Sequence, residues 1–126
     1  MKLNLPYPVS NNNNARMVNG RVITSKAAKA YKADVGWLAR VAKCPMLEGD
    51  VIVNVFLHPK MNLDGAASKN RLDLDNSLKL GLDALNGIAW KDDKQITRIY
   101  AAVSTPMING GLTVIIESAE QIEKAA

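Results

Sequence analysis

The chain has 126 residues, which suffice for one domain with one modest hydrophobic core and exclude a multidomain enzyme. Its hydrophobic content of 48% and charged content of 22% are typical of globular proteins and exclude disorder along the whole chain. No apolar run approaches the roughly 18 residues that cross a bilayer, and no signal-peptide core follows Met1. We therefore expect one soluble, cytoplasmic domain over residues 1–126.

The net charge of +4 is unevenly distributed. Residues 1–43 carry eight Lys and Arg against one acid, Asp34, a net charge of +7, whereas the remainder carries a net charge of −3. The first part suits an anionic partner, and the second concentrates carboxylates. The single cysteine, Cys44, excludes an intrachain disulfide and a Cys-rich zinc site.

The first half of the chain is predicted to form a strand, a ribbon and a helix. Residues 3–7 form a short strand, the asparagine-rich tract 10–14 is a polar loop, and Asn19-Gly20 is the turn of a two-stranded ribbon. A helix then extends from residue 24 or 25 to about residue 43. Helical spacing predicts its buried stripe, which comprises Ala27, Tyr31, Val35, Leu38 and Ala42.

The second half is predicted to form a strand, a helix and two strands. Residues 51–57 are β-branched and nearly continuous, which is typical of a central strand covered on both faces. A mobile loop, residues 60–70, precedes a helix that ends at Asn86-Gly87, and strands follow at 96–103 and 112–117. The pattern predicts a two-layer α+β fold, in which two main helices pack on one face of a mixed β-sheet. The buried stripe of the second helix is predicted to comprise Leu74, Leu78, Leu82 and Leu85.

Residues that could carry chemistry are densest around Asp73-Leu74-Asp75. If Asp73 has extended backbone, residues i and i+2 share a face and the two carboxylates point the same way. Lys79 follows Asp75 by four positions, which places its ammonium beside the carboxylates. Clustered carboxylates repel one another, and a hard divalent cation such as Mg²⁺ compensates them. The structural alternatives are that these acids only cap the helix and that Lys79 forms only a surface ion pair.

Three other features have a structural interpretation beside a functional one. His58 could act as a general base, but a single histidine after an apolar strand is more often structural. Trp90 is expected to be a core anchor rather than a platform for base stacking. The adjacent acids Asp92 and Asp93 could simply form a turn.

Four sequence elements occur in order over most of the chain. They are Pro6-x-Pro8-x-Ser10-Asn11-Asn12, Asp73-Leu74-Asp75-Asn76 with Lys79, Leu82-Asp83-Ala84-Leu85, and Trp90-x-Asp92-Asp93-x-Gln95-Ile96. Together they resemble the RusA family of Holliday junction resolvases, small endodeoxyribonucleases common in phages and prophages. Family members often carry a basic residue directly before the first aspartate of the second element, where this chain has Leu72.

The resemblance implies a homodimer that hydrolyses DNA phosphodiesters in recombination and repair, with four catalytic residues per subunit. By position these are Asp73, Asp75, Asp93 and Lys79, with the three carboxylates as ligands of Mg²⁺. Lys79 would either stabilise developing negative charge or position the nucleophile, and both roles stay open. The expected substrate is branched DNA, a four-way junction cut by paired symmetric nicks, without a small-molecule cofactor or a membrane. Candidates for contacts with DNA phosphates are Arg16, Arg21, Lys26, Lys29, Lys69 and Arg71.

Two alternatives accompany this interpretation. A general or flap-type metal-dependent DNA nuclease would keep the metal chemistry and change the substrate. A non-catalytic DNA-binding module would use the same acids only as caps and ion pairs.

Overall fold

The computed structural model describes residues 1–9, 15–18, 21–24 and 26–119, with the backbone alone for 15–18 and 21–24. The predicted loop 10–14, the turn Asn19-Gly20 and the end of the chain after residue 119 lie outside the described residues. Among the helices described, none has the length and apolarity needed to cross a membrane. The strands are β1 (Lys2–Leu5), β2 (Ala15–Val18), β3 (Arg21–Thr24), β4 (Val51–His58), β5 (Ile96–Val103) and β6 (Gly111–Ser118), and the helices are α1 (Lys26–Val41) and α2 (Leu74–Leu85).

Four strands form a mixed sheet in the order β1-β6-β4-β5. β6 is antiparallel to both of its neighbours, and β5 is parallel to β4. Parallel neighbours require a crossover connection, which α2 provides. β2 and β3 form a separate antiparallel ribbon in which Val18 pairs with Arg21. The two strands of the predicted ribbon are therefore confirmed.

The hydrophobic core lies on one face of the sheet. Alternate β4 residues, Val51, Val53, Val55 and Leu57, are at most 1% exposed and pack with residues of both helices. On the opposite face Ile52 is buried, whereas Asn54, Phe56 and His58 are only half-buried. The expectation that this strand is covered on both faces was wrong, because both helices lie on the same side. The two-layer α+β fold with a mixed sheet is confirmed.

Helix α1 buries a different stripe from the predicted one. Ala27, Leu38 and Ala42 are exposed, so their assignment to the core was wrong. Small residues take their place: a Cβ on Gly36 would lie 3.5 Å from Ile88 Cδ1, which shows how closely the α1 backbone approaches the chain after α2. The buried residues of α1 are Ala28, Tyr31, Val35, Gly36 and Ala39.

Helix α2 also approaches its neighbours through a small residue. A Cβ on Gly81 would lie 2.6 Å from Leu112 Cδ2, so glycine permits the close contact between α2 and the sheet. Leu85 is fully buried as predicted, whereas the remaining predicted leucines only flank the core and are half-buried. The buried residues of α2 are Ser77, Leu80, Gly81, Ala84 and Leu85.

The loop at residues 60–70 has internal backbone hydrogen bonds. Ser68 N–H donates to the Lys60 carbonyl at 2.8 Å, and Asn62 N–H donates to the Ala66 carbonyl at 2.8 Å. Lys60 also forms a bridge with Met107, which attaches the loop to the connection between β5 and β6. The loop is therefore a closed, hairpin-like turn anchored at its stem.

Candidate active site

The N-terminal end of α2 presents two carboxylates. Asp73 occupies the N-cap position with extended backbone angles (φ −62°, ψ 141°), yet its side chain makes no capping hydrogen bond. Asp75 lies in the first helical turn, and both aspartates are exposed. The interpretation of Asp73 as a side-chain cap is therefore wrong, and its carboxylate oxygens are available to a ligand.

Hydrogen bonds hold the backbone on both sides of Asp73. Leu72 N–H donates to the Tyr7 hydroxyl at 2.8 Å. The buried hydroxyl of Ser77 and the Ser77 N–H donate to the Asp73 carbonyl at 2.9 and 3.0 Å. Sequence reasoning missed both residues. The i,i+4 spacing of Asp73 and Ser77 could have indicated the second contact, whereas Tyr7 lies 65 positions from Leu72.

Lys79 is exposed on α2, one helical turn beyond Asp75. Within the described residues no hydrogen bond or ion pair engages either side chain. The interpretation of these residues as a surface ion pair is therefore not supported. The Lys79 ammonium is free to act on a ligand bound near the carboxylates.

Asp93 belongs to a short 3₁₀ turn, Asp93–Gln95, that is held by Asp92. The Asp92 carboxylate accepts a hydrogen bond from Lys94 N–H at 2.9 Å, and the Gln95 side chain accepts one from Asp92 N–H at 3.0 Å. The hydrogen bond from the Lys94 backbone, together with one involving Asp93, lowers the pKa of Asp92. Asp92 thus has the structural role of a cap, and the exposed Asp93 is the candidate ligand.

The side chain of Gln95 attaches this turn to the sheet. Its amide nitrogen donates to the carbonyls of Leu47 and Gly49, both at 2.9 Å, in the segment that precedes β4. Its oxygen also accepts from Lys91 N–H at 2.8 Å. Gln95 therefore fixes the position of the Asp92-Asp93 pair relative to the start of β4.

We predict that Gln95→Ala lowers the free energy of unfolding by about 2 kcal/mol, since it removes several hydrogen bonds that each contribute roughly 0.5–1.5 kcal/mol. Urea denaturation followed by circular dichroism measures the change. Lys94→Ala, which alters an exposed neighbour, is the control and should change stability by less than about 0.5 kcal/mol. Equal stability of the two variants would contradict the anchoring role of Gln95.

Asp73 and Asp93 lie at opposite ends of the central strand β4. Tyr7, which contacts Leu72, follows the end of β1 near the start of β6, and the start of β6 pairs with the end of β4. Gln95 contacts the segment before β4 begins. The two ends of β4 are about 25 Å apart, because it has eight residues that each rise roughly 3.3 Å. One chain does not bring the three predicted carboxylates together.

The carboxylate oxygens at each end of β4 suit a hard cation. In the described ranges no three acidic, histidine or cysteine side chains converge as a metal site, so one chain offers the pair Asp73 and Asp75. Mg²⁺ is commonly held by one or two carboxylates with substrate phosphates, and oxygen donors suit it. The oxygen donors of Asp73 and Asp75 therefore fit a divalent cation.

Comparison with known proteins identifies the family. Residues 6–117, which include both ends of α2, match the family described as endodeoxyribonuclease RusA. The chain belongs to the RusA family. It is 34% identical over 110 residues to the crossover junction endodeoxyribonucleases RusA of Escherichia coli K12 and of Enterobacteria phage 82, over 86% of this chain and 86% of each relative. The corresponding protein of Shigella sonnei is 33% identical over 110 residues.

His58 and Trp90 have the structural roles expected of them. His58 Nδ1 donates to the Thr105 carbonyl at 2.9 Å, and Nε2 contacts the Thr113 hydroxyl at 2.8 Å, so both ring nitrogens are engaged. Trp90 is fully buried in the core. Neither side chain is available to a substrate.

The candidate DNA contacts of this RusA-family chain fall into two groups. Lys26 and Lys29 are exposed on α1, whereas Lys69 and Arg71 are exposed just before Asp73. The second group lies at the same end of the sheet as Asp73 and Asp75. The side chains of the two ribbon candidates, Arg16 and Arg21, lie outside the described residues.

Proposed function

We propose that this chain is a structure-specific endodeoxyribonuclease that resolves four-way DNA junctions by paired symmetric nicks. One observation carries the proposal: the carboxylates of Asp73 and Asp75 are exposed and make no hydrogen bond or ion pair within the described part of the chain, which is 34% identical to crossover junction endodeoxyribonucleases. Carboxylates held free on a rigid backbone suit a cation at a scissile phosphodiester. Because the relatives come from bacteria and a phage, the junction would be encountered in the bacterial cytoplasm during recombination or repair.

The chain's own residues divide the chemistry among them. Asp73, Asp75 and Asp93 would hold Mg²⁺, which when bound supplies an activated water and neutralises charge on the scissile phosphate. Lys79 stabilises the developing negative charge or positions the nucleophile from the next turn of α2. Tyr7 and the buried hydroxyl of Ser77 keep the peptide groups around Asp73 in place. Exposure of the carboxylates lets a DNA backbone reach them.

A homodimer would complete this site. Asp93 and Asp73 lie near opposite ends of β4 in one chain, and a strand of eight residues is about 25 Å long, so a site with three carboxylates requires Asp93 of a second chain. A two-fold axis generates two such sites, and a four-way junction offers two symmetric strands to cut. The same separation therefore supports both the proposed dimer and the proposed paired nicks.

The free edge of the sheet suits that dimer. β5 is an edge strand of eight residues in which Ile99 and Tyr100 are 46% and 57% exposed and Arg98 is the one charged residue. A long edge strand with a single charged residue is a template for pairing with another strand. Antiparallel pairing of two β5 strands would place the start of one beside the end of the other. The second chain's Asp93 would then lie at the end of the sheet where the first chain holds Asp73.

Cleavage of synthetic DNA tests the proposed function. The purified chain is incubated with Mg²⁺ and either a four-way junction or a linear duplex of matching sequence. We expect nicks at symmetric positions in two opposing strands of the junction and an intact duplex. Equal cleavage of the duplex, or preferential cleavage of a flapped substrate, would favour a general or flap-type nuclease. Binding without cleavage would indicate a DNA-binding module.

A further inference from the structure

A cavity of about 630 Å³ lies beside the N-terminal end of α2. Its walls come from the segment after β1, the stem of the loop 60–70 and the residues directly before Asp73. Two of the lining side chains are cationic, and among the described residues that line it there is no carboxylate. The polar lining consists of Lys60, Ser68, Asn70, Arg71 and Asn109.

Tyr7 forms a rigid wall of this cavity. Its hydroxyl accepts the Leu72 N–H at 2.8 Å, and the Lys60 ammonium lies 5.4 Å from its ring centroid. On a third side the backbone of Gly110 approaches so closely that a Cβ there would lie 2.5 Å from Tyr7 Cδ1, and Gly110 has a positive φ of 70° that favours glycine. The cavity is therefore a built feature whose shape is fixed by several parts of the chain.

We propose that this cavity binds a backbone phosphate next to the scissile bond, with Lys60 and Arg71 as its cations. The proposal rests on the proposed function, because it takes the scissile bond to lie at Asp73 and Asp75. Leu72 lines the cavity and is bonded to Asp73, and consecutive Cα atoms are 3.8 Å apart. A strand that reaches the carboxylates therefore passes the cavity.

The donors in the cavity match a phosphodiester. Arg71 uses one nitrogen to donate to the Leu72 carbonyl at 3.1 Å, and a guanidinium has five N–H donors in all. The Lys60 ammonium lies over the face of the Tyr7 ring, within the distance of a cation–π interaction. Cationic, amide and hydroxyl side chains are the groups that contact DNA phosphates. Lys60 and Arg71 would hold the strand by one phosphate while the neighbouring scissile phosphate lies at Asp73.

Replacement of Lys60 tests the cavity. In an Asp75→Asn background, which prevents cutting, Lys60→Gln should weaken junction binding about three- to tenfold and reduce the slope of log affinity against log salt by about 1. In the otherwise wild-type chain it should raise KM and leave kcat within twofold. Lys60→Arg, which keeps the positive charge, should bind the junction as tightly as the chain with Lys60. Lys2→Gln removes the same charge from an exposed position on β1 and is the matched control.

Neutral phosphates identify the bound group. Junctions are prepared with a single methylphosphonate at each of the positions flanking the scissile bond. At one of these positions the methylphosphonate should weaken junction binding by the protein that has Lys60. The same methylphosphonate should not weaken binding by the Lys60→Gln variant any further. An equal loss of junction affinity at every methylphosphonate position, or a Lys60→Gln variant that binds like Lys2→Gln, would overturn the phosphate site. If the wild-type chain still nicks the junction symmetrically, the proposed function would stand. If residue 60 and one methylphosphonate position are coupled in this way but the wild-type chain does not cut the junction, the phosphate site would be upheld and the proposed nuclease activity refuted.

Discussion

Replacing Asp75 with asparagine is expected to reduce junction nicking about a thousandfold and to leave junction binding unchanged or tighter. The substitution removes one metal-ligating carboxylate, which costs several kcal/mol of transition-state stabilisation at about 1.4 kcal/mol for each factor of ten. Asparagine also removes negative charge close to a DNA phosphate, which favours binding. Single-turnover nicking rates and junction affinity in EDTA measure the two effects separately.

Asp34→Asn is the matched control for this experiment. Asp34 is an exposed aspartate on α1, far along the chain from the site, and its replacement changes the net charge by the same amount. We expect nicking within twofold of the wild type. A large loss of junction binding in Asp75→Asn, or an equal loss of nicking in both variants, would count against Asp75 as a metal ligand.

Local features of the site could be predicted from the sequence. The extended backbone at Asp73 and the helix that follows it depend on neighbouring residues, and so does the one-turn spacing of Asp75 and Lys79. The two-layer fold follows from the order of strands and helices along the chain. Both helix stripes were only partly predicted, because α1 buries the small residues Gly36 and Ala39 rather than Leu38, and Gly81 lets α2 approach Leu112 so closely that small residues fill its buried face.

Contacts between distant parts of the chain could not be predicted. The hydrogen bond from Leu72 to Tyr7 joins positions 65 apart, and no periodic pattern relates them. Gln95 likewise reaches carbonyls 46 and 48 positions away. The separation of Asp93 from Asp73 is different, since a helix of 12 residues between them already spans about 18 Å. The resemblance grouped residues that one chain holds at opposite ends of that helix.

A mixed dimer of Asp75→Asn and Asp93→Asn chains is expected to regain nicking that neither homodimer has. If each site combines Asp73 and Asp75 of one chain with Asp93 of the other, both substitutions fall in one site of the mixed dimer. The second site then keeps all three carboxylates. The mixed dimer should nick one strand at about half the wild-type rate of first nicking and should not produce paired cuts.

Two differently tagged subunits, expressed together and purified through both tags, provide this mixed dimer. The reciprocal pairing is a wild-type chain with a chain that carries both Asp75→Asn and Asp93→Asn. Shared sites predict that each site of this dimer loses one carboxylate, so the dimer should be inactive. Sites contained within single chains predict the reverse for both pairings, since the wild-type chain would keep a complete site and the singly substituted chains would not. The two dimers carry identical sets of substitutions and differ only in their distribution, so composition and overall charge cannot account for a difference in nicking.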